Sequence, residues 1–151
     1  MASARSTTAR NGPPWGANWC GWCRFLHDTF QSDAKIKKEL LYEYDVVLVD
    51  IGKWDKHMDL AQSYGADLKG KGVPFLTILD ADGKVVANQE SGVLEAKIDG
   101  KEGHDPAKVM DVLKAHQATP LDAEAVLSEA LTNARENNRS VFVHFGAPWC
   151  G

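Results

Sequence analysis

The chain has 151 residues, 44% of them hydrophobic and 25% charged, which is the make-up of a single globular domain able to bury its own core. A net charge of −4 leaves no basic face for a phosphate backbone, so nucleic acid is excluded as the main partner, and no apolar run is long enough for a membrane-spanning helix. Three cysteines, Cys20, Cys23 and Cys150, are too few for a disulfide scaffold.

In chain order, residues 1–15 read as a flexible N-terminal segment. Gly, Pro, Ser and Thr dominate it, and Pro13-Pro14 argues against a central strand there. Its basic residues lack the apolar core of a secretory signal, so the compartment is open: cytoplasmic as written, periplasmic or secreted if a leader has been removed. A helix is expected from the cysteine pair to about Phe30, and a second one after Ser32 as N-cap. The β-branched run Asp45 to Ile51 fits a buried strand. A helix ending at Gly65 follows. Strands near Phe75–Leu79 and Lys84–Gln89 flank a turn at Asp82-Gly83, the pattern of a hairpin. Asp105 and Pro106 open another helix, as N-cap and first helical residue. From Asp122 to Glu136, apolar residues recur at the spacing of one helix face, and Ser140 to Phe145 reads as a strand. Strands alternating with helices and followed by a hairpin predict an α/β fold with a mixed central sheet and helices on both faces.

Cys20-Gly21-Trp22-Cys23 carries the chemistry. Two intervening residues at the start of a helix put both sulfurs on one turn, where free backbone N–H groups and the helix dipole favour a thiolate. Cys20 is then the nucleophile and Cys23 the more buried resolving thiol, with exchange passing through a mixed disulfide. Trp19 and Trp22 give a flat apolar rim that either contacts substrate or simply packs.

Trp19-Cys20-Gly21-Trp22-Cys23, preceded by Gly16-Ala17, resembles the active-site segment of the thioredoxin superfamily, in the thioredoxin-like group with WCGWC. The stretches "VVLVDIGKWDKHMDLAQSYG" and "GKGVPFLTILDADGKVV" resemble that family's second central strand and helix, then its proline loop and hairpin. The resemblance implies a cis bond at Val73-Pro74 facing the cysteine pair, with Val73 and Pro74 docking substrate backbone. It also implies a thiol–disulfide oxidoreductase that needs no dissociable cofactor, acts on protein disulfides or thiols, and works with a reductant or oxidant partner. Gly-Trp between the cysteines, where thioredoxin has Gly-Pro, leaves the redox potential open. The rival reading is a non-catalytic thioredoxin-like module that binds peptides.

The resemblance leaves one strand unplaced. The family has a central strand just before the CxxC, and "TARNGPPW" does not read as one. "SVFVHFGAPWCG" does, and it pairs Gly146, Ala147, Trp149, Cys150 and Gly151 with Gly16, Ala17, Trp19, Cys20 and Gly21. The expectation is therefore a core at 16–117 lacking its first central strand. Residues 118–151 complete the sheet by circular permutation, or by arm exchange in a homodimer, or belong to a fragment of a tandem protein. Strand 140–145 would lie parallel beside 46–51, bringing Cys150 near the site as an extra thiol or a frayed end.

His144 stands where the family carries a buried acid, so it is a candidate proton relay to the resolving thiol, against a packed histidine. Cys20, Cys23 and His27 lack a fourth zinc ligand in sequence, so no metal is expected. His57, His104 and His116 read as surface residues.

Overall fold

In the computed structural model, which describes residues 10–12 and 14–146, the chain divides into two units, Met1–Ala118 and Thr119–Gly151. The first is built on a mixed sheet of six short strands: β1 (Arg10–Gly12), β2 (Pro14–Gly16), β3 (Tyr44–Val46), β4 (Val49–Asp50), β5 (Phe75–Leu79) and β6 (Val85–Glu90). Its order is β3-β1-β5-β2-β4, with β6 on β5. β1 runs parallel to β3 and β2 parallel to β4, while both are antiparallel to β5.

Arg10–Gly12 and Pro14–Gly16 thus hold the middle of the sheet, which corrects the expectation of a core without its central strand. The ladder is interrupted rather than abolished. Arg10–Gly12 pairs with Tyr44–Val46, the pairing lapses, and Trp15 and Gly16 resume it with Val49 and Asp50. Proline lacks one donor, and splitting the strand keeps each paired segment short. Of the run from 45 to 51, expected as a buried strand, 45–46 and 49–50 lie in the outer strands β3 and β4, Val46, Val47 and Leu48 are exposed, and only Ile51 is fully buried.

β5 is buried along its whole length, so both faces of the sheet are covered. Leu76 and Ile78 join Leu26, Phe30, Ile36, Leu94, Val109 and Leu113 in one core. Those residues come largely from helices α1 (Gly21–Ser32), α2 (Ala34–Glu43) and, further along, Pro106–Ala115. Phe75 joins Trp15, Ile51, Ala61, Ala66 and Leu68 in the other core, against helices α3 (Met58–Ser63) and α4 (Leu68–Lys71). Trp15 is fully buried, and its indole Nε1 donates to Thr77 Oγ1 at 2.8 Å. Thr77 donates in turn to Asn88 Oδ1 at 2.8 Å, and Asn88 Nδ2 donates to the Tyr64 carbonyl at 2.9 Å. This chain of bonds satisfies polar atoms that burial would otherwise strand.

The predicted hairpin forms as β5–β6. A second hairpin, β7 (Glu95–Ile98) with β8 (Lys101–His104), turns at Asp99-Gly100, both at positive φ. Asp105 then caps α5 (Pro106–Ala115), with proline in the first turn as expected. The cap of α2 is Asp33 rather than Ser32: its carboxylate accepts from Lys35 N and Ile36 N at 2.9 Å each, while Ser32 ends α1.

In the second unit, Asp122 caps α6 (Ala123–Glu136), whose Val126, Leu127 and Leu131 are exposed. Residues 141–146 form no strand, and Phe142 and Phe145 are 92% exposed. The expected strand 140–145 beside 46–51 is therefore corrected. The parallel neighbours of β3 and β4 are β1 and β2, so the vacancy that motivated permutation or arm exchange does not exist. Cys150, the expected extra thiol, lies outside the described residues.

Candidate functional site

β2 delivers the chain to the site. After Gly16 a turn bonds Cys20 N to the Ala17 carbonyl at 3.1 Å, and α1 begins at Gly21 with Cys20 as its N-cap. Cys20 and Cys23 form a disulfide, their Cα atoms 5.3 Å apart. The Cys23 backbone N–H donates to Cys20 Sγ at 3.1 Å. A free amide at a helix N-terminus aimed at the sulfur is the arrangement that favours a thiolate once the disulfide opens. No acidic side chain sits in the first turn of α1 to oppose it.

Opposite the pair, the Val73–Pro74 bond is cis, as the resemblance implied. The Val73 carbonyl oxygen lies 3.4 Å from Cys20 Sγ. In the disulfide that sulfur has no proton, so the contact becomes a hydrogen bond only in the thiol. Pro74, Gly16, Asp50 and Cys23 line a cleft of about 450 Å³ beside α1. Gly16 is needed for close approach, because a Cβ there would sit 3.0 Å from Cys23 Sγ.

Burial runs opposite to expectation. Cys20 is only 5% exposed, while Cys23, read from sequence as the more buried thiol, is half-buried on the cleft. Accessibility in the oxidised state is therefore governed by what lies around the helix start, not by position on the helix turn.

The two tryptophans do different things. Trp19 is half exposed, donates from Nε1 to the Gly52 carbonyl at 2.6 Å, and packs against Trp54 with centroids 5.8 Å apart. Trp54 escaped the sequence reading, although it sits in the "GKWDKH" loop immediately after the β4 run. That loop is stiffened locally. Asp50 accepts from Gly52 N at 3.0 Å and pairs with Lys56 Nζ at 3.2 Å. The Gly52 amide, then Lys56, hold the exposed Asp50 carboxyl below its usual range. Trp22 instead meets Phe25 and His104 edge-on, at 5.5 Å and 5.6 Å between centroids.

His104 corrects the surface reading: it is completely buried, and burial pushes its pKa down. In the fold it ends β8, a strand packed against α1. His57 is exposed, as read, while His116 is partly buried. His144, the candidate relay, is exposed in an irregular segment, so the buried setting a relay needs is missing around it. His27 is exposed on α1, and among the described residues no cluster of three metal-ligating side chains occurs.

No family model matches the chain. Protein disulfide-isomerase 2-3 of Arabidopsis thaliana is 28% identical over 150 residues, covering 89% of this chain and 31% of the plant protein. A solved structure of a disulphide isomerase from Xylella fastidiosa Temecula1 is 31% identical, with a TM-score of 0.52 over 57% of this chain and 64% of that one. The fold is thioredoxin-like. The chain spans less than a third of the plant protein and under two thirds of the bacterial one. A thioredoxin-like frame accounts for the convergence of Trp19, Cys20, Trp22, Cys23, Val73 and Pro74: a central strand, a helix start and a proline loop meet at one end of the sheet.

Proposed function

We propose that the chain is a thiol–disulfide oxidoreductase for protein substrates. The observation that carries this is the Cys20–Cys23 disulfide at the N-terminus of α1, with the Val73 carbonyl 3.4 Å from Cys20 Sγ and the cis Pro74 following. Relatives named disulfide isomerases support the same reading.

In the reducing direction, the Cys20 thiolate attacks one sulfur of a substrate disulfide. The substrate S–S bond breaks, a Cys20–substrate bond forms, and the other substrate sulfur leaves as a thiolate that takes up a proton. Cys23 loses its proton and attacks Cys20 Sγ, releasing the second substrate thiolate and closing Cys20–Cys23. Two electrons pass from the dithiol to the substrate, and an external dithiol must return them. Run backwards, the same steps oxidise a substrate dithiol; attack without net transfer isomerises. Val73 and Pro74 present backbone to the substrate chain, and Trp19 with Trp54 offers an apolar rim. The amide bond from Cys23 N is what lowers the cost of the Cys20 thiolate.

The test is reduction of insulin disulfides with dithiothreitol as electron source. The intact protein should accelerate precipitation of the reduced chains, and Cys20→Ser should reduce the rate to that without protein. The low exposure of Cys20 favours a second reading, a peptide-binding module without turnover. Equal rates for the intact protein and Cys20→Ser would establish that reading instead.

A further inference from the structure

His104 is the histidine that the exchange steps do not use, yet it lies against the residue between the two cysteines. Its ring has no exposed surface, and neither Nδ1 nor Nε2 has a hydrogen-bond partner among the described residues. A buried donor or acceptor left unpaired costs about 1–3 kcal/mol, so a benzene ring would be cheaper in this place. Among the described residues its side chain has a directed contact with Trp22: centroids 5.6 Å apart and planes at 81°. That perpendicular arrangement brings the edge of one ring to the π-face of the other, an attraction beyond simple burial. Phe25 meets the same indole at 5.5 Å and 86°. Trp22 is thus held at two contacts, one from its own helix and one from β8, across the packing of α1 on that strand.

We propose that His104 is a positioning residue of the dithiol, acting through Trp22: its ring fixes the indole of the Cys20-Gly21-Trp22-Cys23 turn, and this contact sets the balance between the disulfide and the two thiols. Burial lowers the pKa of the imidazole and so favours its neutral form. Without the ring, Trp22 loses its contact from β8, beside the turn that carries both sulfurs. The inference builds on the proposed exchange reaction, but its test reads the dithiol directly.

The experiment measures the equilibrium of Cys20–Cys23 with reduced and oxidised glutathione in the full-length chain, by mass spectrometry on the peptide that carries both cysteines. Four proteins are compared with the parent: His104→Ala, His104→Phe, Trp22→Ala and the double variant His104→Ala/Trp22→Ala. His104→Ala should shift the equilibrium constant by roughly three- to tenfold, the upper end being the full worth of an aromatic pair contact held in only one of the two redox states. His104→Phe, which restores a ring of similar size, should recover most of that shift. In the Trp22→Ala background, His104→Ala should add nothing further. Thermal unfolding of each variant separates folding from redox balance. The proposal is overturned if His104→Ala lowers the melting temperature but leaves the constant unchanged, if His104→Phe fails to recover it, or if the shift survives without Trp22. Failure of the insulin assay with this coupling present would remove the proposed reaction and leave the positioning role standing.

Discussion

At the residue scale, two side-chain environments decide how the cysteine pair behaves. Gly16 carries no side chain where a Cβ would stand 3.0 Å from Cys23 Sγ. Gly16→Ala should push Cys23 away from Cys20 and lower the fraction of disulfide at a fixed glutathione ratio, read by the same mass-spectrometric assay. His104 gives a pH signature. Its ordinary value is 6.5, and burial lowers it in the folded chain. The unfolded chain therefore takes up the proton first as pH falls. The contribution is fully present above 6.5 and is lost as pH drops through the window beneath it. Urea midpoints should fall between about pH 7.5 and about pH 6, and fall less in His104→Phe. Glu95, paired with His104 across the ladder, has the opposite sign: burial and Glu102 raise its carboxyl above 4.5. Its contribution is fully present below 4.5 and is lost as pH rises through the raised value.

At the scale of elements, local rules were legible and edge-or-centre questions were not. The Asp105-Pro106 start of α5, the β5–β6 hairpin and the helix after Asp122 all follow from short-range chemistry, and all formed. The cap of α2 shifted by one residue because a carboxylate accepting two amides outcompetes the neighbouring hydroxyl. Asp33→Ala should cost about 1 kcal/mol in denaturant unfolding, the usual worth of such a cap. The β7–β8 hairpin carried a readable Asp99-Gly100 turn signal that was overlooked, and with it went the burial of His104. The segment 140–145 shows the converse. Its alternation suits a strand, but a strand exists only with a ladder partner, and period alone does not supply one.

At the scale of the whole molecule, the cysteine motif, the cis proline and their convergence were legible because each is a local pattern with a fixed place in a thioredoxin-like frame. The strand leading into the motif was not. Pro13-Pro14 argues against it by a rule that holds for unbroken ladders, whereas Arg10–Gly12 and Pro14–Gly16 pair as two short segments. What ties the halves of the sheet together is Trp15, bonded through Thr77 and Asn88 to Tyr64. Thr77→Val should strand the buried Trp15 N–H and destabilise the fold by about 1–3 kcal/mol, measurable by thermal or urea unfolding. The central claim is that Cys20, though the less exposed sulfur, is the one that attacks. It is tested most directly by incubating Cys23→Ser and Cys20→Ser separately with a disulfide-bonded protein and quenching with acid. Cys23→Ser should accumulate a mixed disulfide through Cys20, and Cys20→Ser should accumulate none; trapping through Cys23 instead would contradict the account.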